Sequence, residues 1–169
     1  MYTVDALFRR CRSDRGFTLI EIIGVLVILG ILAAVVSHSV DTRQETLSGE
    51  LDTLKANLRY AQSLGFSQAY LPAGSAPIVW GINAANNTYT LQRNGAAQAN
   101  VFLPGTNSAT HTMPSTINIS TASVHFNFRG VPTDAAGNVS GADTTFTLSF
   151  SDGGHSMPAT VTRQTGFVQ

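Results

Sequence analysis

Residues Phe17 to Val36 read FTLIEIIGVLVILGILAAVV, twenty residues in which Glu21 carries the only charge. A helix that is apolar on every face cannot be satisfied by one side of a globular core, so this run constrains the chain more than any other feature. At about 1.5 Å per residue it would be roughly 30 Å long, the hydrocarbon thickness of a bilayer. Ahead of it lie Arg9, Arg10, Arg12 and Arg15 against Asp5 and Asp14; behind it the nearest charges are Asp41, Arg43 and Glu45. The positive-inside rule therefore keeps the preceding segment cytoplasmic and sends everything after His38 across the membrane.

A cleaved secretory signal would have a shorter apolar core, and Ala33-Ala34 is its only candidate for a small-residue cut. A plain anchor accounts for the length but leaves Glu21 unexplained. A carboxylate this deep in an apolar helix costs about 2.5–3.5 kcal/mol on insertion scales and calls for a partner or a function.

The junction Arg15-Gly16-Phe17-Thr18-Leu19-Ile20-Glu21 combines a basic leader ending in Gly, a following Phe, a Glu four residues later and the apolar run. It resembles the type IV prepilin processing site. The resemblance implies that a membrane prepilin peptidase cuts between Gly16 and Phe17 on the cytoplasmic side and methylates the new amine of Phe17. A glycine at the cut lets a protease approach the backbone closely. The resemblance further implies that the Glu21 carboxylate meets the Phe17 ammonium of a neighbouring subunit, each charge offsetting part of the other's burial cost. Removal of residues 1–16 would take away four arginines, two aspartates and the lone Cys11, leaving a mildly acidic chain without cysteine.

Beyond the run, Val40, Leu47, Leu51, Leu54, Leu58 and Ala61 recur at helical spacing, with Glu45, Glu50, Asp52, Lys55 and Arg59 on other faces. No proline precedes Pro72, so one helix is expected from about Phe17 to about Tyr70, with Gly65 as an alternative end. The period then changes to two. Ile78, Trp80 and Ile82, a turn at Asn86-Asn87, then Tyr89 and Leu91 predict a hairpin. Further short strands are expected around Ile117 and Ile119, Val124 to Phe128, Phe146 to Phe150 and Met157 to Val161, with polar residues between the apolar ones. Residues 94–116 form a long polar connection broken by Val101-Phe102-Leu103, a length that marks a functional or mobile loop or a hidden strand. The expected fold is α+β: a long N-terminal helix, transmembrane in its first half, packed on a small antiparallel β-sandwich. The organisation is a leader at 1–16, a helix at 17–70 with its membrane and assembly segment at 17–36, and a β-rich extracytoplasmic domain at 71–169.

The helix end Leu58-Arg59-Tyr60-Ala61-Gln62-Ser63, the segment Phe126-Asn127-Phe128-Arg129-Gly130-Val131-Pro132, the Phe146 to Phe150 strand and the closing Thr165-Gly166-Phe167-Val168 together resemble the GspH/FimT type of minor pseudopilin. In that pattern Phe126 and Phe128 are read as core anchors, with Gly130 and Pro132 turning the chain. The resemblance implies a subunit of a type II secretion pseudopilus or a type IV pilus. Its partners would be prepilin peptidase, other pilin or pseudopilin subunits, the inner-membrane assembly platform and lipid. The alternative is a DNA-uptake or adhesion pilin that binds its ligand through the β-domain.

Charge weighs against DNA. The chain has ten basic and ten acidic side chains and only 12% charged residues, and beyond the helix Arg93, Arg129 and Arg163 face Asp134, Asp143 and Asp152. Phosphate binding needs clustered cations. No phosphate-loop, dinucleotide, C-x-x-C, H-E-x-x-H or G-x-S-x-G pattern occurs, so neither an enzyme nor a cofactor is expected. His38, His111, His125 and His155 are widely separated, which argues for solvated side chains rather than a metal site. Asp134, Asn138 and Asp143 carry oxygen ligands in a Gly-rich loop, but at no EF-hand spacing. Trp80 is expected in the core.

Overall fold

The computed structural model describes residues 17–39, 42–68 and 77–169. The leader with Cys11 and Gly16, and the stretch at 69–76, lie outside them. Two helices are present, α1 (Leu19–Ser39) and α2 (Thr42–Phe66). They belong to different compact units, one ending at Asp41 and the other running from Thr42 to Gln169.

In the second unit, eight strands follow α2: β1 (Trp80–Asn86), β2 (Thr88–Arg93), β3 (Ala96–Ala97), β4 (Thr110–Thr112), β5 (Ile117–Phe126), β6 (Pro132–Thr133), β7 (Thr144–Phe150) and β8 (Ser156–Val161). They form one antiparallel sheet in the order β3-β2-β1-β5-β7-β8, with β4 also beside β2 and β6 beside β5. This corrects the expected sandwich. The register sets Ile82 opposite Leu91 and Val124, Trp80 opposite Phe126, Ile119 opposite Leu148, and Phe146 opposite Ala159. All these apolar side chains fall on one face, and α2 covers it with Leu47, Leu51, Leu54, Leu58 and Ala61, each at most 8% exposed. One amphipathic helix is layer enough for one apolar sheet face, so no second sheet is needed.

The other face carries Thr88, Thr90, Thr145, Thr147 and Thr160, with hydroxyl pairs Thr90–Thr110 at 2.9 Å and Thr145–Thr160 at 3.2 Å. The hairpin forms as expected, with Asn86 at φ 59° in its turn. The two short strands expected between 117 and 128 are one. A register shift opposite Ala84 and Asn86 moves the inward set of β5 from Ile117 and Ile119 to Val124 and Phe126, and that change of parity mimics two strands in the sequence. The strand stops at Phe126, where Gly130 N–H donates to Asn127 O at 2.9 Å to close a turn. Phe128 therefore sits outside the alternation and is 47% exposed, not a core anchor.

Residues 94–116 contain β3 and β4 and bury Leu103 and Met113, so this connection contains strands. α2 ends at Phe66, short of Tyr70, with Gln68 N–H closing a turn on Gly65 O at 3.1 Å. At Gly65 a Cβ would lie 2.9 Å from the carbonyls of Phe126 and Asn127, so the glycine allows the helix to approach the end of β5.

Candidate functional site

The residues singled out for processing and assembly lie on α1. Thr18 caps this helix: its carbonyl accepts from Glu21 N–H at 3.0 Å and Ile22 N–H at 3.3 Å, and its Oγ1 accepts from Glu21 N–H at 3.3 Å. Thr18-Leu19-Ile20-Glu21 has capping-box spacing, and an acid in the first turn also suits the helix dipole. The carboxylate of Glu21 has neither a hydrogen bond nor an ion pair among the described residues. Phe17 precedes the helix and is 80% exposed. Every side chain from Phe17 to Ala34 is exposed, so the rod presents apolar surface all round, with one carboxylate near its start. Among the described residues no helix is both long and apolar enough to cross a membrane. The described side chains of α1 end at residue 34, while the apolar run of the sequence continues to Val36. Gly16 lies outside the described residues, as does the side chain of His38.

The globular unit holds two histidines in settings the pattern did not reveal. His111, expected in a solvated loop, lies on β4 facing α2. Its Nε2 is 2.9 Å from Glu50 Oε2, and its ring stacks 4.9 Å from Tyr89. Asn57 Nδ2 donates to the Tyr89 hydroxyl at 2.8 Å, and burial outweighs that bond to push the phenol up to about 12. This chain of polar contacts ties the 94–116 connection and the hairpin to the helix. The signal for it was Asn57, a polar residue on the apolar face of α2.

His125 was also expected to be solvated, but it is 1% exposed. It points away from α2, opposite Gly81, where a Cβ would lie 2.7 Å from its ring. The loop after β6 folds over this end of the sheet: Gly137 packs against Pro77 and Val79, and Val79 is fully buried outside the main core. Neither ring nitrogen of His125 has a hydrogen-bond partner among the described residues, nor does the neighbouring Thr133 hydroxyl. Burial lowers the pKa of this imidazole against the opposing pull of Asp134.

The unfolded chain therefore takes up a proton first as the pH falls. The stability contributed by the neutral ring is complete above the unfolded value of about 6.5 and is lost progressively below it, until the lowered folded value is reached. Denaturant titrations from about pH 8 to pH 5 should show stability falling by up to about 1.4 kcal/mol per pH unit in that window. His125→Leu should flatten the slope. Asp134 and Asp152 also have lowered pKa values, but their contributions fade only below 3.8.

In the loop with calcium-type ligands the carboxylate oxygens accept hydrogen bonds from nearby groups. Asp134 Oδ1 accepts from the N–H groups of Ala136 and Asn138, both at 2.9 Å, its Oδ2 accepts from Asn138 Nδ2 at 2.7 Å, and Asp143 Oδ1 accepts from Arg163 N–H at 2.8 Å. Among the described residues no group of His, Cys, Asp and Glu is placed to hold a metal ion. Trp80 is in the core, 5% exposed.

Three of the four segments that carry the pseudopilin resemblance meet in space. Gln62 Nε2 donates to Gly130 O at 2.9 Å, Gly166 O at 3.3 Å and Thr165 O at 3.4 Å, while Arg59 donates to Val168 O at 3.2 Å. Val168 pairs with Val161 and extends the sheet beyond β8. Late α2, the turn after β5 and the end of the chain thus form one clamp.

Residues 11–37 match the family described as the prokaryotic N-terminal methylation motif, a stretch that includes the Gly16–Phe17 junction, Glu21 and the apolar run. The match supports a type IV pilin-like protein that is processed by prepilin peptidase and assembles with other pilins. No curated protein and no solved structure matches the chain.

Proposed function

We propose that this chain is a minor pilin or pseudopilin, a structural subunit of a type II secretion pseudopilus or a type IV pilus, of the GspH/FimT type. Prepilin peptidase cuts between Gly16 and Phe17 and methylates the amine of Phe17. The mature subunit waits in the inner membrane as a single-pass protein, spanning it through residues 17–36, with its globular unit in the periplasm. It enters the filament by burying the apolar rod against related rods, with Glu21 setting register against the amine of a neighbour. Its work is mechanical rather than enzymatic, and the inner-membrane platform drives extraction.

The observation that carries this reading is the exposed apolar α1 bearing one carboxylate, unpaired among the described residues, next to a capped, non-helical Phe17-Thr18. Such a surface is stable only when lipid or other helices cover it. Intact-mass and N-terminal sequencing of the protein from producing cells test it. A start at methylated Phe17 is expected, and a chain that keeps Met1 or begins near Val35 would overturn the reading.

A further inference from the structure

Among the described residues of the globular unit, the large apolar side chains left exposed are Phe66, Phe102, Phe128, Val139 and Phe167. Three of the five converge on the Gln62 clamp. The Phe66 ring lies against Gly130, where a Cβ would be 2.4 Å from its Cζ. Phe128 belongs to the turn that Gly130 closes, and Phe167 follows Gly166, which is packed onto the Gly130 carbonyl. Phe66, Phe128 and Phe167 are 50%, 47% and 61% exposed, so the patch spends its apolar area on solvent.

The patch is held rigid. Asn127 Oδ1 accepts from the N–H groups of Arg129 at 2.9 Å and Val131 at 3.1 Å, and Thr162 Oγ1 accepts from Phe167 N–H at 3.1 Å. Aromatic rings on a fixed backbone lose little entropy on binding, and Phe beside Arg is the composition of interface cores. The patch is also cationic. Arg129 stacks over the Phe128 ring at 5.2 Å, Arg59 reaches Val168 O, and neither forms an ion pair among the described residues.

We propose that Phe66, Phe128 and Phe167, with Arg59 and Arg129, dock a segment of a different subunit of the same assembly, one that presents apolar side chains beside carboxylates. The proposal rests on the assembly reading above. Charge complementarity selects the acidic partner. Among the described residues of the unit, Phe102 and Val139 are the remaining exposed large apolar side chains and belong to separate loops, so no second patch among them complements the first, and a different subunit is favoured over a second copy. Two arginines fall short of the run of cations that nucleic-acid backbone binding needs.

The test uses the full chain in producing cells, with a photoreactive phenylalanine analogue in place of Phe167, Phe128 or, as the control, Phe102. Expected are adducts from positions 167 and 128 and none from 102. The crosslinked peptide should come from another subunit bearing the same N-terminal methylation motif and should contain carboxylates next to apolar residues. Arg129→Glu should lower the adduct yield about tenfold without changing the thermal midpoint or the cut at Gly16–Phe17. Adducts to a second copy of this chain or to nucleic acid, equal yield from position 102, or no adduct from a correctly cut chain would overturn the docking proposal. A chain that keeps residues 1–16 overturns the assembly reading instead, so the two failures are read separately.

Discussion

Glu21→Gln and Glu21→Ala are expected to remain correctly cut and membrane-inserted while their recovery in sheared filaments falls by about a hundredfold or more. In hydrocarbon, removing one partner of an ion pair strands the other charge, at roughly 3–5 kcal/mol, and each 1.4 kcal/mol is a factor of ten. The Gln variant isolates the charge, because the cap of α1 runs from Glu21 N–H to Thr18 Oγ1 and Thr18 O and does not use the carboxylate. An amide at the same place keeps the helix start and the side-chain volume. Immunoblots of sheared and membrane fractions, side by side, measure the effect. Recovery of either variant in the sheared fraction at the level of the unaltered chain would remove the pairing role from Glu21.

Gly166→Ala should destabilise the globular unit by roughly 3–5 kcal/mol, a large part of the 5–15 kcal/mol that holds a typical domain together. Two effects add. Gly166 sits at φ +67°, a left-handed conformation that strains any residue with a Cβ. The added carbon would also lie 2.2 Å from the Gly130 carbonyl and 2.6 Å from Gln62 Nε2, so the Gln62 clamp would have to open. Gly105→Ala is the internal control: its φ is +76°, but nothing lies within 4 Å of the new carbon, so only the backbone strain of about 1 kcal/mol should appear. Denaturant midpoints of the two variants would separate clash from strain. Equal losses would mean that the clamp at the end of the chain carries no stability of its own.

The amphipathic stripe of α2 was legible because each of its leucines reports its own face. Leu47, Leu51, Leu54 and Leu58 need only helical geometry to share one side. The hairpin was legible for the same reason, with Asn86-Asn87 supplying the turn. Phe128 was misplaced because alternation holds only while a strand lasts, and the turn that ends β5 comes from hydrogen bonds of Asn127 that spacing does not encode. His111, part-buried, and His125, buried, escaped because what surrounds them comes from distant chain. Glu50 of α2 and Tyr89 of β2 flank His111, and the loop around Gly137 covers the end of the sheet that holds His125.

By itself the sequence determined everything that depends on local order along the chain: the apolar rod with its single acid, the motif at its start, the stripe of α2 and the polar alternation of the strands. Tertiary structure alone decided that the strands make one sheet rather than two. It also decided that Gln62 gathers Gly130 and Gly166 into a clamp, and that three phenylalanines remain uncovered around it. The reason is that side-chain periodicity states which way a residue faces, whereas what it faces depends on contacts between segments as far apart as Gln62 and Gly166, which no local pattern records.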